Sequence, residues 1–289
     1  MTQGYITLAI DQLNSTQQIK SAYTLACSLK LNDPKREVCL VTDHFSKVPS
    51  KYEGVFDYIV ELPFGNTDHT ESNRAINLWQ LYYCTPFAQS MYVNPATIAI
   101  DNFADFWDIC NGQDIVFPIH TVNFKQQLSQ YLAKFKTADA NNILNLNSDV
   151  FYFEKSEISS EFFKMADVVF QNWRQWFFEY IKEERTNAFN SDLCFGITAK
   201  AIDYNPFMFE DLLEYTDLTD DNIAEAATQE QSEDWLDTIN IWFHNGGDVK
   251  VNNHRQTGIF VYRQFDLLND KALNDISKHY NTTTTTIKD

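Results

Sequence analysis

Apolar and polar positions follow one another along this chain in blocks that predict an α/β order. Tyr5-Ile6-Thr7-Leu8-Ala9-Ile10 is a β run that ends at Asp11. Polar residues lead from there to Ala22, Tyr23, Leu25, Ala26 and Leu29, whose spacing predicts a helix that Asn32-Asp33-Pro34 breaks. Val38-Cys39-Leu40-Val41 is the next buried strand and stops at Thr42-Asp43. Strand, helix, strand is a βαβ unit, so these two strands are expected to be parallel. Phe56 to Leu62 predicts a third strand closed by Pro63, and 65–72 a polar loop.

The middle of the chain is its most ordered pattern. Ala75, Ile76, Leu78, Trp79, Leu81, Tyr82 and Tyr83 suit a buried helix, and Thr85-Pro86 ends it because proline biases the residue before it away from helix. Met91-Tyr92-Val93 predicts a short buried strand that breaks at Asn94-Pro95-Ala96-Thr97 and resumes as Ile98-Ala99-Ile100. An acidic, aromatic segment follows from Asp101 to Asp108. Small polar residues at a strand end occupy the place where open α/β sheets bind ligands.

Beyond it, Ile115-Val116-Phe117 predicts a strand, 123–137 an amphipathic helix, and Asn145 to Phe153 a strand with a polar start. Ser160 to about Phe178 predicts one long helix, with Phe162, Ala166, Val169 and Trp173 on its buried face. Its aromatic residues serve a core or a sugar platform. Ser191 or Asp192 is expected to cap a helix that begins there. The segment 210–237 is strongly acidic and reads as a solvated loop and helix face. Trp235 to Phe243 predicts a helix stopped by Gly246-Gly247, and 249–251 and 259–262 two late strands.

Composition narrows the function classes. At 289 residues the chain can bury a full core. Its net charge of -18 repels nucleic acid and anionic membranes, and no Lys/Arg cluster offsets it. The five cysteines are scattered without metal or disulfide spacing and read as buried thiols, which suits a reducing, cytoplasmic setting. The first residues lack the basic and apolar parts of a signal peptide, and no window has the apolar length of a membrane span. Serine-hydrolase, P-loop, dinucleotide-binding and HExxH signatures are missing, as is any internal repeat.

Helix, Thr-Pro-Phe, strand, short polar break, apolar run, then D-x-F-x-D-x-W-D resembles the core of GT-A-fold glycosyltransferases, the glycogenin-like and phage-type nucleotide-sugar transferases in particular. Leu146-Asn147-Ser148-Asp149-Val150-Phe151-Tyr152-Phe153 resembles an FNSGVFVF segment that lines the pocket of those families, and Asp192 to Ala199 a D-x₆-A helix start that faces it. The resemblance implies an α/β fold, a three-layer sandwich about a mixed, mainly parallel sheet. It implies one domain over 1–289, with a nucleotide-binding half (1–108), an acceptor half (109–280) and a disordered tail (281–289). It implies transfer of a sugar from a nucleoside diphosphate sugar, a UDP-sugar in first place, to a hydroxyl of a glycan or protein acceptor.

One departure governs how far this carries. The families place Asp-x-Asp in the strand break, where two carboxylates hold Mn²⁺ or Mg²⁺ on the diphosphate. This chain has Asn94 and Ala96 there. It also has Asp149 where glycine is common. The expected nucleotide-sugar contacts are Asp11, Asp43, Arg74, Asn94, Ala96, Asn147, Ser148 and Arg255, with Asp149 and Asp192 as catalytic acids. No metal is expected at Asn94 and Ala96, and His254 is the one residue placed as a late metal-ligating histidine. Two ways to make good the lost carboxylates stay open: Asp149, Asp101 or His254 as substitute ligands, or cations, Arg74 and Arg255, in place of the metal.

Plainer roles stay open for each. Asp11, Asp43 and Asp192 suit helix caps, Arg74 an exposed surface position and His254 a turn. Two other functions also stay open. One is an inactive binding protein on the same fold. The other is a phage-type enzyme acting on modified DNA, which the Asn-, Phe- and Thr-rich composition resembles and the acidic charge opposes.

Overall fold

The structure, a computed structural model, describes residues 2–11, 17–68, 74–119, 121–127, 133–209, 215–217, 241–243, 248–262 and 274–281. The chain opens with β1 (Gln3–Leu8), α1 (Gln17–Asn32), β2 (Glu37–Thr42), α2 (Ser50–Glu53) and β3 (Tyr58–Glu61). β1 and β2 pair in parallel, as the βαβ pattern requires, and β3 continues beside β2. A 3-10 helix (Arg74–Gln80) and α3 (Leu81–Cys84) lead to β4 (Gln89–Val93), and β5 (Thr97–Ala99), α4 (Ala104–Cys110), β6 (Ile115–Pro118) and α5 (Ala133–Ala140) follow. Next come β7 (Val150–Glu154), α6 (Glu157–Gln171), α7 (Trp173–Tyr180), α8 (Ser191–Ala201) and β8 (Phe207–Phe209). Short strands close the series: β9 (Tyr215–Asp217), β10 (Ile241–Phe243), β11 (Val249–Val251), β12 (His254–Arg255) and β13 (Ile259–Val261).

The main sheet has seven strands in the order β3-β2-β1-β4-β7-β6-β8. It is parallel except for β7, which runs antiparallel to both β4 and β6. Buried side chains alternate between its faces with the two-residue period of a strand. Met91 and Val93 enter one apolar cluster with α1 and α4, and Tyr92 the opposite one with α6 and α8. Val150 and Tyr152 likewise face the first cluster, Phe151 and Phe153 the second. The mixed, mainly parallel α/β sandwich is thus the architecture observed.

Several predicted elements take a different form. The break at Asn94 is where the chain leaves the main sheet, since β5 pairs with β13 in a separate small sheet. The predicted helix from Ala75 to Tyr83 is largely 3-10 and becomes α-helical only at Leu81. The helix predicted to Phe178 is two helices, α6 and α7, parted at Asn172, which leaves helical geometry at φ -116° and ψ 29°. The polar half of the predicted strand from Asn145 is irregular and ends in a turn at Ser148-Asp149, and strand begins only at Val150. The predicted helix over 123–137 is shifted to Ala133–Ala140.

Of the predicted helix from Trp235, Ile241-Trp242-Phe243 is instead a strand paired with β11. β-Branched and aromatic residues suit that pleated pairing, and three residues are too few to hold a helix against it. The earlier part of that helix lies outside the described residues, as do most of the acidic segment 210–237 and residues 282–289 of the tail. A helical stretch over 274–281 adds Ile276 to the first cluster. Among the described residues no helix is long and apolar enough to cross a membrane.

Candidate active site

The antiparallel course of β7 builds the site. Val93, the last residue of β4, pairs with Val150, the first of β7. The residues just after β4 therefore lie beside those just before β7, so Asn94 meets Asp149 although 55 positions separate them. The Asn94 amide N–H donates to the Asp149 carbonyl at 2.7 Å. Its side-chain Nδ2 donates to Asp149 Oδ1 at 2.6 Å. Its Oδ1 in turn accepts from the Ala96 N–H at 2.9 Å, an Asx turn that fixes the break.

The start of α8 closes another wall. Its N-cap is Asn190, whose side chain accepts from the Leu193 N–H, rather than Ser191 or Asp192. With Asn190 in that role, Asp192 is released from capping and points at the break. Asp192 Oδ1 accepts from the Ser148 N–H at 2.7 Å and from Ser148 Oγ at 2.5 Å. Ser148 Oγ also lies 2.6 Å from Ser191 Oγ. α8 sits this close because residue 196 is glycine. A Cβ there would come within 2.6 Å of both the Leu144 carbonyl oxygen and the Ile143 side chain.

These elements enclose a cleft of about 300 Å³ at the C-terminal ends of β1 and β4. Six of the ten binding or catalytic residues expected from sequence line it: Arg74, Asn94, Ala96, Ser148, Asp149 and Asp192. Gln18, Ala75, Tyr92, Phe189, Asn190 and Ser191 line it too and were not expected. Only Asn190 carries a local signal, a cap residue three positions ahead of Leu193 in a helical run.

Among the described residues Arg74 is the cationic side chain of this lining. It is half-buried, and its Nη1 lies 3.5 Å from the Ile10 carbonyl. Burial lowers its pKa, and Asp11, Tyr92 and Asp68 oppose that shift. A guanidinium stays protonated under such a change, so Arg74 gives the cleft a fixed positive charge.

The remaining expected residues sit elsewhere. Asp11 is buried and accepts from the Gln18 and Ile19 N–H groups at 2.8 and 3.0 Å, capping α1 while facing Arg74. Asp43 pairs with Lys47 at 2.7 Å, and Lys47 also donates to the Asp11 carbonyl. Asn147 is fully buried under the turn. Its Oδ1 accepts from the Asp149 N–H, and its Nδ2 has no partner among the described residues. Arg255 and His254 are exposed on the β11–β12 hairpin. Arg255 pairs there with Asp248 at 2.6 Å, and the His254 ring meets Phe124 edge-on at 5.7 Å. Neither lines the cleft.

The donor set at the break does not fit a hard divalent cation, which takes several carboxylate or carbonyl oxygens. Ala96 has no donor atom in its side chain. The Asn94 amide is engaged at both its oxygen and its nitrogen, and the oxygen of Asp149 nearest to it is engaged by that amide. Among the described residues no three His, Cys, Asp or Glu side chains converge to hold a metal.

No family model matches the sequence, and no curated protein matches it. Solved structures do. The galactosyltransferase LgtC, in complex with donor and acceptor sugar analogs, is 12% identical with a TM-score of 0.56, over 96% of this chain and 95% of that one. An active-site mutant of LgtC gives 0.54 at 12% identity over the same shares. The bifunctional glycosyltransferase WbbM, without ligand, gives 0.51 at 8% identity, over 96% of this chain and 49% of that one. At such identities the likeness is one of fold: the chain has the fold of GT-A glycosyltransferases.

Proposed function

We propose that this protein is a glycosyltransferase that moves a sugar from a nucleoside diphosphate sugar, a UDP-sugar in first place, to a hydroxyl acceptor without the family's metal. The observation that carries the reading is the convergence of Arg74, Ser148, Asp149 and Asp192 on the strand break, in a cleft at the ends of β1 and β4. Ligands of open α/β sheets bind at such strand ends.

In the reaction the acceptor oxygen bonds to the anomeric carbon as the bond from that carbon to the diphosphate oxygen breaks. The leaving diphosphate gains charge, and a guanidinium is suited to meet it with paired N–H donors. Arg74 takes that role. Asp149 and Asp192 line the same cleft and are the groups to orient sugar hydroxyls or receive the acceptor's proton. Asp192 reaches the break through Ser148, so Ser148 sets where its carboxylate stands.

A second reading has a specific observation in its favour. Asp149 and Asp192 are both committed to hydrogen bonds within the protein, with Asn94 and with Ser148. That pattern also suits a rigid binding protein on a transferase fold. A screen of nucleotide sugars for UDP release and sugar transfer, with Mn²⁺ and with EDTA, separates the two. Turnover that persists in EDTA and collapses in Arg74→Ala supports the transferase. No turnover with any donor, and no nucleotide binding, leaves the binding protein.

A further inference from the structure

A second cleft of about 380 Å³ lies between one side of α7, from Trp173 to Phe178, and the loop that follows the helix. Trp173, Phe177 and Phe178 supply its aromatic walls, and Arg174 and Arg185 its charge; among the described residues no carboxylate lines it. Arg174 stacks on Trp173 at 4.5 Å from the ring centroid and Arg185 lies 5.5 Å from that of Phe178. Lys182 approaches the same Phe178 ring at 5.8 Å. Phe178 is 71% exposed, the largest value among the large hydrophobic side chains of the described residues.

The charges are the unusual part. The chain carries 40 acidic against 22 basic residues, so an arginine has acids in plenty to pair with. Among the described residues neither Arg174 nor Arg185 has a carboxylate partner. Each guanidinium lies over a ring; Arg185 Nε donates to the Ile181 carbonyl at 3.2 Å, and the outer N–H groups of the two arginines face no carboxylate among the described residues and can meet an oxyanion. An exposed ring between such cations offers an apolar face to the C–H side of a sugar. This cleft also shares a wall with the active-site cleft. Trp173 contacts Phe189 at 5.8 Å between ring centroids, and Phe189 lines the active-site cleft.

We propose that this cleft is a second saccharide site that takes an anionic sugar residue, its oxyanion on Arg174 and Arg185 and its ring on Phe178. As the far part of an acceptor chain whose end reaches the active-site cleft, this rests on the transferase reading; binding of the anionic sugar itself does not.

The test is calorimetric titration of the full chain with a galacturonic acid oligosaccharide. A neutral galactose oligosaccharide, a sulfated one and an oligoglutamate peptide are the comparisons, and UDP binding is measured on the same samples. We expect the uronic acid or sulfated oligosaccharide to bind and the neutral one to bind at least tenfold more weakly. Arg174→Ala/Arg185→Ala and Phe178→Ala, all at exposed positions, should each lose about tenfold or more while UDP affinity and melting temperature hold. Arginine-dependent saccharide binding without any UDP binding would sink the transferase reading and keep this site. UDP binding with no anionic saccharide bound, binding indifferent to the three substitutions, or equal capture of oligoglutamate would each overturn the proposal.

Discussion

Asn94 Nδ2 donates to Asp149 Oδ1 at 2.6 Å, and the two residues are also joined through their backbones at 2.7 Å. The amide ties the end of β4 to the start of β7 at the point where the GT-A resemblance would place a metal-binding aspartate. A neutral donor there satisfies a carboxylate that a second carboxylate would repel.

Asn94→Asp should therefore destabilise the protein near neutral pH, by about 1–3 kcal/mol for the lost hydrogen bond alone, with like-charge repulsion added. Mn²⁺ should restore part of that stability in Asn94→Asp/Ala96→Asp and leave the wild type unchanged. Thermal melts with and without Mn²⁺ give the answer. A wild-type melting temperature that rises with micromolar Mn²⁺ would contradict the reading of the break.

Arg74→Ala should weaken UDP binding by about 1.5–3 kcal/mol, roughly 10- to 150-fold, the range of a charge-assisted hydrogen bond. Titration calorimetry reads this directly. An unchanged affinity would remove Arg74 from the diphosphate site.

Gly196→Ala sets two effects against each other. Alanine favours a helix over glycine by about 1 kcal/mol. Its Cβ, however, would stand 2.6 Å from the Leu144 carbonyl oxygen, a backbone atom that cannot swing aside. Overpacking of this kind costs about 1–3 kcal/mol and moves backbone, so a net loss is expected. The loss of stability should come with weaker ligand binding, because α8 carries Asp192 against Ser148. A stable variant with unaltered binding would show that α8 has room to shift.

Burial pushes the Cys27 and Cys84 thiols up to about 12. In the unfolded chain a thiol ionises near its ordinary value of about 8.5. Above that pH the unfolded state has lost protons that the folded state keeps. The stability these thiols contribute is complete below about pH 8.5 and is lost as pH climbs towards 12. Tyr23, also raised to about 12 by burial, acts in the same direction from about pH 10. Denaturant melts between pH 8 and 11 should show a steady fall. Cys27, which is buried, should also resist thiol reagents at pH 8 until the protein is unfolded. Rapid labelling of Cys27 in the native protein would mean that this thiol is open to solvent.

Tyr5 Oη donates to Asp33 at 2.7 Å and accepts from the Trp107 indole at 3.0 Å, joining β1, the end of α1 and α4. Tyr5→Phe should cost about 1–3 kcal/mol, because the indole N–H is left buried without that partner. A calorimetric melt checks this, and a change under 0.5 kcal/mol, typical of a surface site, would show that the network is not buried as described.

What the sequence determined by itself was local. The runs Tyr5 to Ile10 and Val38 to Val41 became parallel β1 and β2, because apolar runs around a helical spacing admit few other arrangements. The strand break at Asn94-Pro95-Ala96 was legible, because a proline between small polar residues cannot continue a ladder. Ile241-Trp242-Phe243 misled, because a short apolar run looks the same in a helix and a strand until a partner is found.

The tertiary structure decided which of these pieces share a site. Arg255 and Arg74 are alike as residues, yet one pairs with Asp248 on a hairpin and the other lines the cleft. Asp11 and Asp192 both read as caps; Asp11 caps α1, while Asn190 takes that role at α8 and leaves Asp192 to Ser148. The meeting of Asn94 with Asp149 follows from β7 running antiparallel to β4. Pairing direction is set by how the whole sheet closes over its two apolar faces, and it leaves no mark at either residue.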